Sequence, residues 1–68
     1  MEISFTLNGR EFTTATAETI GQLLQEKSID PTHVVIEVNR NIVPREHFDN
    51  TSLHSGDSVE ILRFVGGG

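Results

Sequence analysis

Apolar and polar residues alternate at the start of the chain, which is the pattern of a half-buried β-strand. Within residues 2–7 the apolar positions fall on one face, as Ile3, Phe5 and Leu7. Asn8-Gly9 follows, and this pair favours a type I′ turn because both central positions need a positive φ angle. Residues 10–14, anchored by Phe12, then predict the returning strand. The chain is therefore expected to open with a β-hairpin.

A helical period replaces the alternation at Thr19. The segment Thr19-Ile20-Gly21-Gln22 has the form of a capping box, with a hydroxyl at the N-cap and a glutamine three residues later. Apolar residues then recur at helical spacing, as Ile20, Leu23 and Leu24. Pro31 cannot continue a helix, and Ile29 is expected to fold back over the core. These signals predict a helix from about Thr19 to Ser28.

Two further strands are predicted in the middle of the chain. Residues 34–38 are almost continuously apolar, which suits an interior strand that is covered on one face and partly covered on the other. Residues 42–43 predict a very short strand that Pro44 stops. Residues 45–52 show no clean period and are expected to form a loop with no more than one helical turn.

Residues 58–64 predict the last strand, which follows a Ser55-Gly56-Asp57 turn. Both of its faces carry apolar side chains, with Val59 and Ile61 on one and Leu62 and Phe64 on the other. The element order predicts a two-layer α+β fold, in which a mixed sheet of four to five strands packs on one helix. Residues 1–65 would form a single domain, and residues 66–68 a flexible glycine tail.

The charge balance excludes several classes of partner. The chain has 68 residues, of which ten are acidic and five are basic, and its formal net charge is −5. Nucleic acids and anionic membranes require clustered Lys and Arg, so neither is expected as a partner. An acidic protein would suit a partner with a basic docking face, although acidity also serves solubility. No signal segment or membrane-spanning run is visible, so a complete cytoplasmic protein is expected.

Side-chain chemistry offers little support for a catalytic or metal site. The chain has no cysteine, which removes thiolate metal ligands and a thiol that could carry sulfur. The three histidines fall in predicted turns or loops, where they are expected as ordinary polar residues: His33, His47 and His54. Ser52, His54 and Asp57 are the residue types of a catalytic triad, but they lie on one turn without a predicted pocket. We therefore expect no enzyme activity, no metal and no bound cofactor.

The C-terminal segment Gly66-Gly67-Gly68 has no side chains to pack and loses much entropy when it is ordered. Such a tail could enter a narrow channel, and its extended reach from Val65 to Gly68 is about 13 Å at roughly 3.3 Å per residue. A partner could adenylate the Gly68 carboxylate with ATP, and the activated end could then take up sulfide as a thiocarboxylate or pass to an amine. A linker remnant or an ordinary frayed terminus remains an alternative for the tail.

Four segments of the chain together resemble a known family. They are Leu7-Asn8-Gly9-Arg10, Val38-Asn39-Arg40-Asn41-Ile42-Val43-Pro44-Arg45, Ser55-Gly56-Asp57 and Phe64-Val65-Gly66-Gly67-Gly68. With the hairpin and the single helix, they resemble the ubiquitin-like β-grasp sulfur carriers, and more narrowly the ThiS family of thiamine thiazole biosynthesis. The segment from Asn39 to Arg45, combined with the terminal glycines, is the more specific part of this resemblance.

The resemblance implies a role for the tail and two partner enzymes. Gly68 would be adenylated by a ThiF-like enzyme that uses ATP, converted to a thiocarboxylate, and used by a ThiG-like thiazole synthase as its sulfur source. Gly66 and Gly67 would lie in the access channels of both partners. The sheet face turned away from the helix would be the docking surface, formed by Val35, Leu62, Phe64 and Val65. The carrier would be a monomer when free.

Other interpretations remain open at this point. Leu62 and Phe64 could form a second, minor core under residues 45–52. The sulfur carrier of molybdopterin synthase would share the chemistry, but that family tends to be longer and to approach its glycines through a proline, which Arg63-Phe64-Val65 lacks. A ubiquitin-like protein modifier would share the activation step. A non-catalytic β-grasp binding module is a different class, and it should tolerate loss of the glycines.

Overall fold

The computed structural model describes residues 2–64. Five strands run through this range: β1 (Ile3–Leu7), β2 (Arg10–Thr14), β3 (Val34–Val38), β4 (Asn41–Val43) and β5 (Ser58–Arg63). The helix α1 spans Ile20–Glu26, and two 3-10 segments span Pro31–His33 and Arg45–Asn50. This is the element order that the sequence predicts. No helix in the described range has the length and apolarity needed to cross a bilayer.

The strands form one mixed sheet in the order β2-β1-β5-β3-β4. The last strand of the sequence, β5, lies at the centre, where it pairs parallel with β1 and antiparallel with β3. The hairpins β1–β2 and β3–β4 form the two flanks of the sheet. The apolar side of α1 packs on one face, which we call the inner face, and the opposite face is the outer face. The predicted two-layer α+β arrangement is confirmed, with five strands.

Both hairpins turn on two residues in the left-handed region. In the first turn the φ angles are 50° at Asn8 and 82° at Gly9, as the Asn-Gly pair predicts. In the second turn they are 52° at Asn39 and 72° at Arg40. Arginine is an unusual residue for a left-handed position, so the sequence identifies this turn but not its geometry.

The start of α1 forms the predicted capping box. The Gln22 backbone N–H donates to Thr19 Oγ1 at 3.2 Å, and the Gln22 side-chain oxygen accepts the Thr19 N–H at 3.2 Å. The same oxygen also accepts the Glu18 N–H at 2.7 Å. The backbone N–H groups of Glu18, Thr19 and Gln22 have no partner within the helix, and side chains at the helix start accept all three.

The helix ends at Glu26, which is earlier than the predicted end at Ser28. Ser28 adopts a left-handed φ of 58°, and the N–H of Ile29 reaches back to the Leu24 carbonyl at 2.8 Å. This bond is the characteristic feature of a Schellman motif, and it returns Ile29 to the core as predicted. The helix therefore ends before Pro31. This end is difficult to predict from the sequence, because the left-handed position is occupied by Ser28 and not by the usual glycine.

The core lies between α1 and the inner face of the sheet. Its largest fully buried side chains are Ile20, Leu23, Leu24, Ile36 and Val59. Phe48 of the second 3-10 segment closes the core beside the helix and is only 4% exposed. The loop predicted for residues 45–52 is thus a 3-10 segment that contributes to the core. It approaches α1 so closely that a Cβ atom at Gly21 would collide with the Asp49 carboxyl group.

Candidate functional site

The C-terminal end of the described chain leaves the sheet from its central strand. Val35 of β3 lies opposite Leu62 of β5, and the backbone N–H of Phe64 donates to the His33 carbonyl at 3.2 Å. The chain is thus paired with β3, and then with the residue before it, up to Phe64. Val65, which was predicted to belong to the docking surface, and the predicted tail residues Gly66, Gly67 and Gly68 lie outside the described residues, so their predicted roles stay predictions.

Two asparagines from the segments that carry the family resemblance form side-chain hydrogen bonds with the backbone of β5. The side chain of Asn8 binds the backbone of Ile61, just past the Leu7–Val59 pair that ends the β1–β5 register. The side chain of Asn39 accepts the Ser58 N–H at 2.9 Å. The Asn-containing turns therefore have a structural role in fixing the strand that leads to the tail.

Apolar side chains are exposed on the outer face beside the end of β5. They comprise Val35, Ile42, Leu62 and Phe64, which we call the outer patch. Leu62 and Phe64 are each 49% exposed, Ile42 is 67% exposed, and Val35 is half-buried. Val35 lies directly opposite Leu62, so the structure brings together the three described residues of the predicted docking surface. Whether this surface docks a partner stays a prediction.

The alternative of a minor core over Leu62 and Phe64 is wrong. Residues 45–50 pack against α1 on the inner side of the sheet, so they do not cover the outer patch. Ile42 was missed as a member of the patch. The signal was available, because Ile42 pairs with Glu37, and Glu37 must face outward when Ile36 and Val38 face the core.

Two glutamates lie on the same outer face. Glu37 of β3 and Glu60 of β5 are directly opposite in the antiparallel register, and we call them the acidic pair. Glu60 is exposed and Glu37 is half-buried. Within residues 2–64, neither carboxylate lies within 4.0 Å of a Lys, Arg or His nitrogen, whereas Asp30 and His33 approach each other to 3.8 Å.

The carboxylate of Asp30 accepts two local hydrogen bonds at the start of the first 3-10 segment. Its Oδ1 atom accepts the backbone N–H of Thr32 at 2.9 Å and the Thr32 hydroxyl at 2.7 Å. These bonds, the backbone one first, hold the pKa of Asp30 below its ordinary value. This arrangement caps the first 3-10 segment and accounts for the aspartate structurally.

The triad suggested by residue types does not form. Asp57 Oδ2 accepts the backbone N–H of His54 at 2.9 Å, and Asp57 Oδ1 accepts the side-chain N–H of Asn39 at 3.1 Å. The carboxylate thus organises a turn and does not orient an imidazole. His33 and His47 are likewise exposed residues of the 3-10 segments. Among residues 2–64, no group of three potential ligands could hold a metal ion.

A cleft of about 620 Å³ lies between α1 and the second 3-10 segment. Leu24, Ile29 and Phe48 line its apolar side, and Arg45 and Asp49 lie at its polar side. This cleft belongs to the helix layer, whereas the outer patch and the acidic pair lie on the opposite face of the sheet. None of the residues of the outer patch lines this cleft.

Comparison with known proteins agrees with this geometry. The model of the ThiS family matches residues 3–68. The sulfur carrier protein ThiS of Bacillus subtilis is 36% identical over 50 residues, which cover 74% of this chain and 76% of that protein. The crystal structure of the thiamine biosynthesis protein ThiS from Geobacter metallireducens superimposes with a TM-score of 0.81 at 36% identity, and covers 97% of this chain and 100% of that one.

A longer protein also contains a similar segment. The thiazole synthase of Paramagnetospirillum magneticum is 36% identical over 62 residues, which cover 91% of this chain but only 19% of that protein. The chain thus spans about a fifth of the length of this relative. Because the family match covers nearly the whole sequence and the fold is that of a solved ThiS structure, the chain has the ubiquitin-like β-grasp fold and belongs to the ThiS family of sulfur carrier proteins.

Proposed function

We propose that this protein carries sulfur on the carboxyl group of Gly68 for thiazole formation in thiamine biosynthesis. The observation that carries the proposal is the extent of the family match, which runs to residue 68 and so includes the three terminal glycines. The protein would act as a co-substrate of partner enzymes and would not catalyse a reaction itself.

The chemistry follows from the poor reactivity of a carboxylate toward nucleophiles. An oxygen of the Gly68 carboxylate attacks the α-phosphorus of ATP in a partner enzyme, which forms an acyl adenylate and releases pyrophosphate. A sulfide then attacks the acyl carbon and displaces AMP, which leaves a thiocarboxylate at the C-terminus. No oxidation or reduction is needed when sulfide is the sulfur source. The chain has no cysteine that could carry sulfur in place of this group.

Two partners fit this sequence of reactions. The adenylation requires a ThiF-like enzyme that binds ATP. A ThiG-like thiazole synthase is supported as the sulfur acceptor, because a segment similar to this chain occurs within a protein named thiazole synthase. In that protein a segment similar to this chain and a thiazole synthase would share one polypeptide.

The outer patch is the surface through which we propose that these enzymes dock. Leu62 and Phe64 belong to the same strand end that leads to Gly68, and only a few residues separate them from the tail. A partner that covers the patch would therefore lie within reach of the terminal carboxylate. Exposed apolar residues on an acidic protein are typical of such contact surfaces.

The proposal is tested by incubating the full-length chain with ATP, a ThiF-like enzyme and sodium sulfide, followed by intact mass spectrometry. The expected result is a mass increase equal to the replacement of one oxygen by sulfur, located on the C-terminal peptide. The reaction without ATP should leave the mass unchanged. An unchanged mass in the complete reaction would overturn the proposal, provided that the same enzyme modifies the Bacillus subtilis carrier in parallel.

A second assay addresses the acceptor. The thiocarboxylated protein is added to a ThiG-like synthase with the other thiazole precursors, and thiazole formation is measured together with the return of the carrier to its original mass. Thiazole formation that is equally fast with unmodified carrier would show that the sulfur does not come from Gly68.

A further inference from the structure

The acidic pair adjoins the outer patch on two sides. On β4, Ile42 lies directly opposite Glu37, and Glu37 in turn lies opposite Glu60. The next outward-facing pair along β3 and β5 is Val35 and Leu62. Two carboxylates therefore border the apolar patch directly, and a partner that covers the patch up to this edge must also contact them.

The two glutamates are an unfavourable pair in the free protein. Like charges directly opposite on neighbouring strands destabilise a sheet. Within residues 2–64 no Lys, Arg or His nitrogen lies within 4.0 Å of either carboxylate, and Glu37 is half-buried. The repulsion would increase when a partner excludes water from the patch, because charges interact more strongly at lower dielectric constant. A purely apolar partner surface would therefore bind poorly here.

These observations point to a partner of defined chemistry. We infer that the acidic pair receives the guanidinium of an arginine at the edge of an apolar surface on the activating enzyme. This inference rests on the proposed function, and it adds the chemical character of the docking face. A guanidinium presents N–H donors in a planar fork, so it can bind both carboxylates at once. The acidic pair would thus select partners that carry this charge against those that lack it.

Removal of the two charges tests this inference. The double variant Glu37→Gln, Glu60→Gln keeps the shape of both side chains. Its affinity for a ThiF-like enzyme is measured by isothermal titration calorimetry at low and high sodium chloride concentration. We expect binding at low salt to be about tenfold weaker than for the wild type, with a shallower dependence on salt.

A matched control removes the same net charge elsewhere. Glu18 and Glu46 are exposed residues beside α1 and in the second 3-10 segment, on the helix side of the sheet. The double variant Glu18→Gln, Glu46→Gln should change the affinity by less than about twofold, because its charges lie on the side opposite the outer patch. An equal loss in the control would show that only the overall charge matters, and this would overturn the inference.

A charge reversal separates binding from folding. Glu60→Lys places opposite charges across β3 and β5, so we expect a higher midpoint of thermal unfolding together with weaker binding. If the acidic pair contacts no arginine, the midpoint should rise in the same way while the affinity stays at the wild-type value, and this result would overturn the inference.

Two further outcomes distinguish failure of the inferred arginine contact from failure of the proposed function. Wild-type affinity and salt dependence in Glu37→Gln, Glu60→Gln, combined with lost binding in Phe64→Ser, would overturn the inference and leave the docking surface in place. A wild-type chain that neither binds the enzyme nor gains sulfur would overturn the proposed function, and the inference with it.

Discussion

The side-chain amide of Asn8 forms two hydrogen bonds with the backbone of Ile61. The Ile61 N–H donates to Asn8 Oδ1 at 2.7 Å, and Asn8 Nδ2 donates to the Ile61 carbonyl at 3.2 Å. The amide thereby imitates a further residue of β1, and it extends the parallel pairing of β1 with β5 beyond the Leu7–Val59 pair. The turn that reverses the first hairpin thus also fixes the strand that leads to the tail.

Replacement of Asn8 by glycine tests this second role. The variant Asn8→Gly still adopts the left-handed φ of the turn, so its cost reports the lost amide and not turn strain. Two hydrogen bonds at about 0.5–1.5 kcal/mol each predict a fall in the free energy of unfolding of about 1–3 kcal/mol, measured by urea denaturation. The control Asn41→Ala removes an exposed amide that donates to the Asn39 carbonyl at 3.3 Å, and it should cost less than about 0.5 kcal/mol. An equal fall in the free energy of unfolding in the two variants would show that the hydrogen bonds from Asn8 to Ile61 do not stabilise the fold.

Local signals in the sequence were sufficient for most of the fold. The Asn8-Gly9 turn and the Thr19–Gln22 capping box depend on interactions within a few residues, and both form as predicted. The alternation of Val59 and Ile61 against Leu62 and Phe64 also assigned the two faces of β5 correctly. Such features follow from backbone geometry and need no knowledge of distant contacts.

The features that the sequence did not predict depend on tertiary contacts. Phe48 lies in an aperiodic segment, and its burial follows from the docking of that segment on α1. The left-handed conformation of Ser28 lacks the glycine that normally marks such a position. Alternation also cannot show whether a second apolar face is covered, so the exposure of Leu62 and Phe64 required the structure. The tail, which is the centre of the proposed function, lies beyond the described residues.

Substitution of two phenylalanines should distinguish residues that stabilise the fold from residues that dock a partner. Phe48 is 4% exposed and closes the core, whereas Phe64 is 49% exposed on the outer patch. Phe48→Ala is expected to lower the free energy of unfolding by about 3–5 kcal/mol, because it removes a buried ring and leaves a cavity. Phe64→Ala should lower it by less than about 1 kcal/mol, since half of the ring is already in water. Both values are obtained from urea denaturation.

The same two variants should have the opposite order of effects on docking. At a temperature where both are folded, Phe64→Ala is expected to weaken binding to the ThiF-like enzyme by about tenfold or more, as is typical for an aromatic residue that a partner buries. Phe48→Ala should bind within about twofold of the wild type, because its ring does not reach the outer face. Undiminished binding of Phe64→Ala would exclude this residue from the docking surface.

The pH dependence of stability should include a contribution from Glu26. Its Oε1 atom accepts the hydroxyl of Thr16 at 2.7 Å and that of Thr14 at 2.9 Å, and these bonds, Thr16 first, lower the pKa of Glu26 below its ordinary value. A lowered pKa in the folded state means that the carboxylate stabilises the fold above the ordinary glutamate pKa of about 4.3. This stabilisation is lost as the pH falls through the lower, folded pKa.

The variant Glu26→Gln isolates this contribution. We expect the wild type to have the higher midpoint of thermal unfolding near neutral pH, and the difference to shrink as the pH falls below the ordinary glutamate pKa. The effect should be small because the carboxylate is exposed. Glu46→Gln serves as the control for the loss of one exposed glutamate charge. A Glu26→Gln difference that grows on acidification would contradict a lowered pKa of Glu26 in the folded state.

The last prediction concerns the C-terminal glycine. Deletion of Gly68, or addition of one alanine after it, should leave the free energy of unfolding within about 0.5 kcal/mol of the wild type, because the described core is built from residues 5–61. Both variants should lose ATP-dependent sulfur incorporation, because the activated carboxylate would be one residue short of the enzyme's reactive centre or one residue beyond it. Thermal unfolding and intact mass spectrometry on the same samples give the two measurements. A variant that folds and still gains sulfur would show that the position of the terminal carboxylate is not decisive. Loss of the unfolding transition would instead assign the tail a structural role. If the protein is a non-catalytic binding module, neither variant should lose its function.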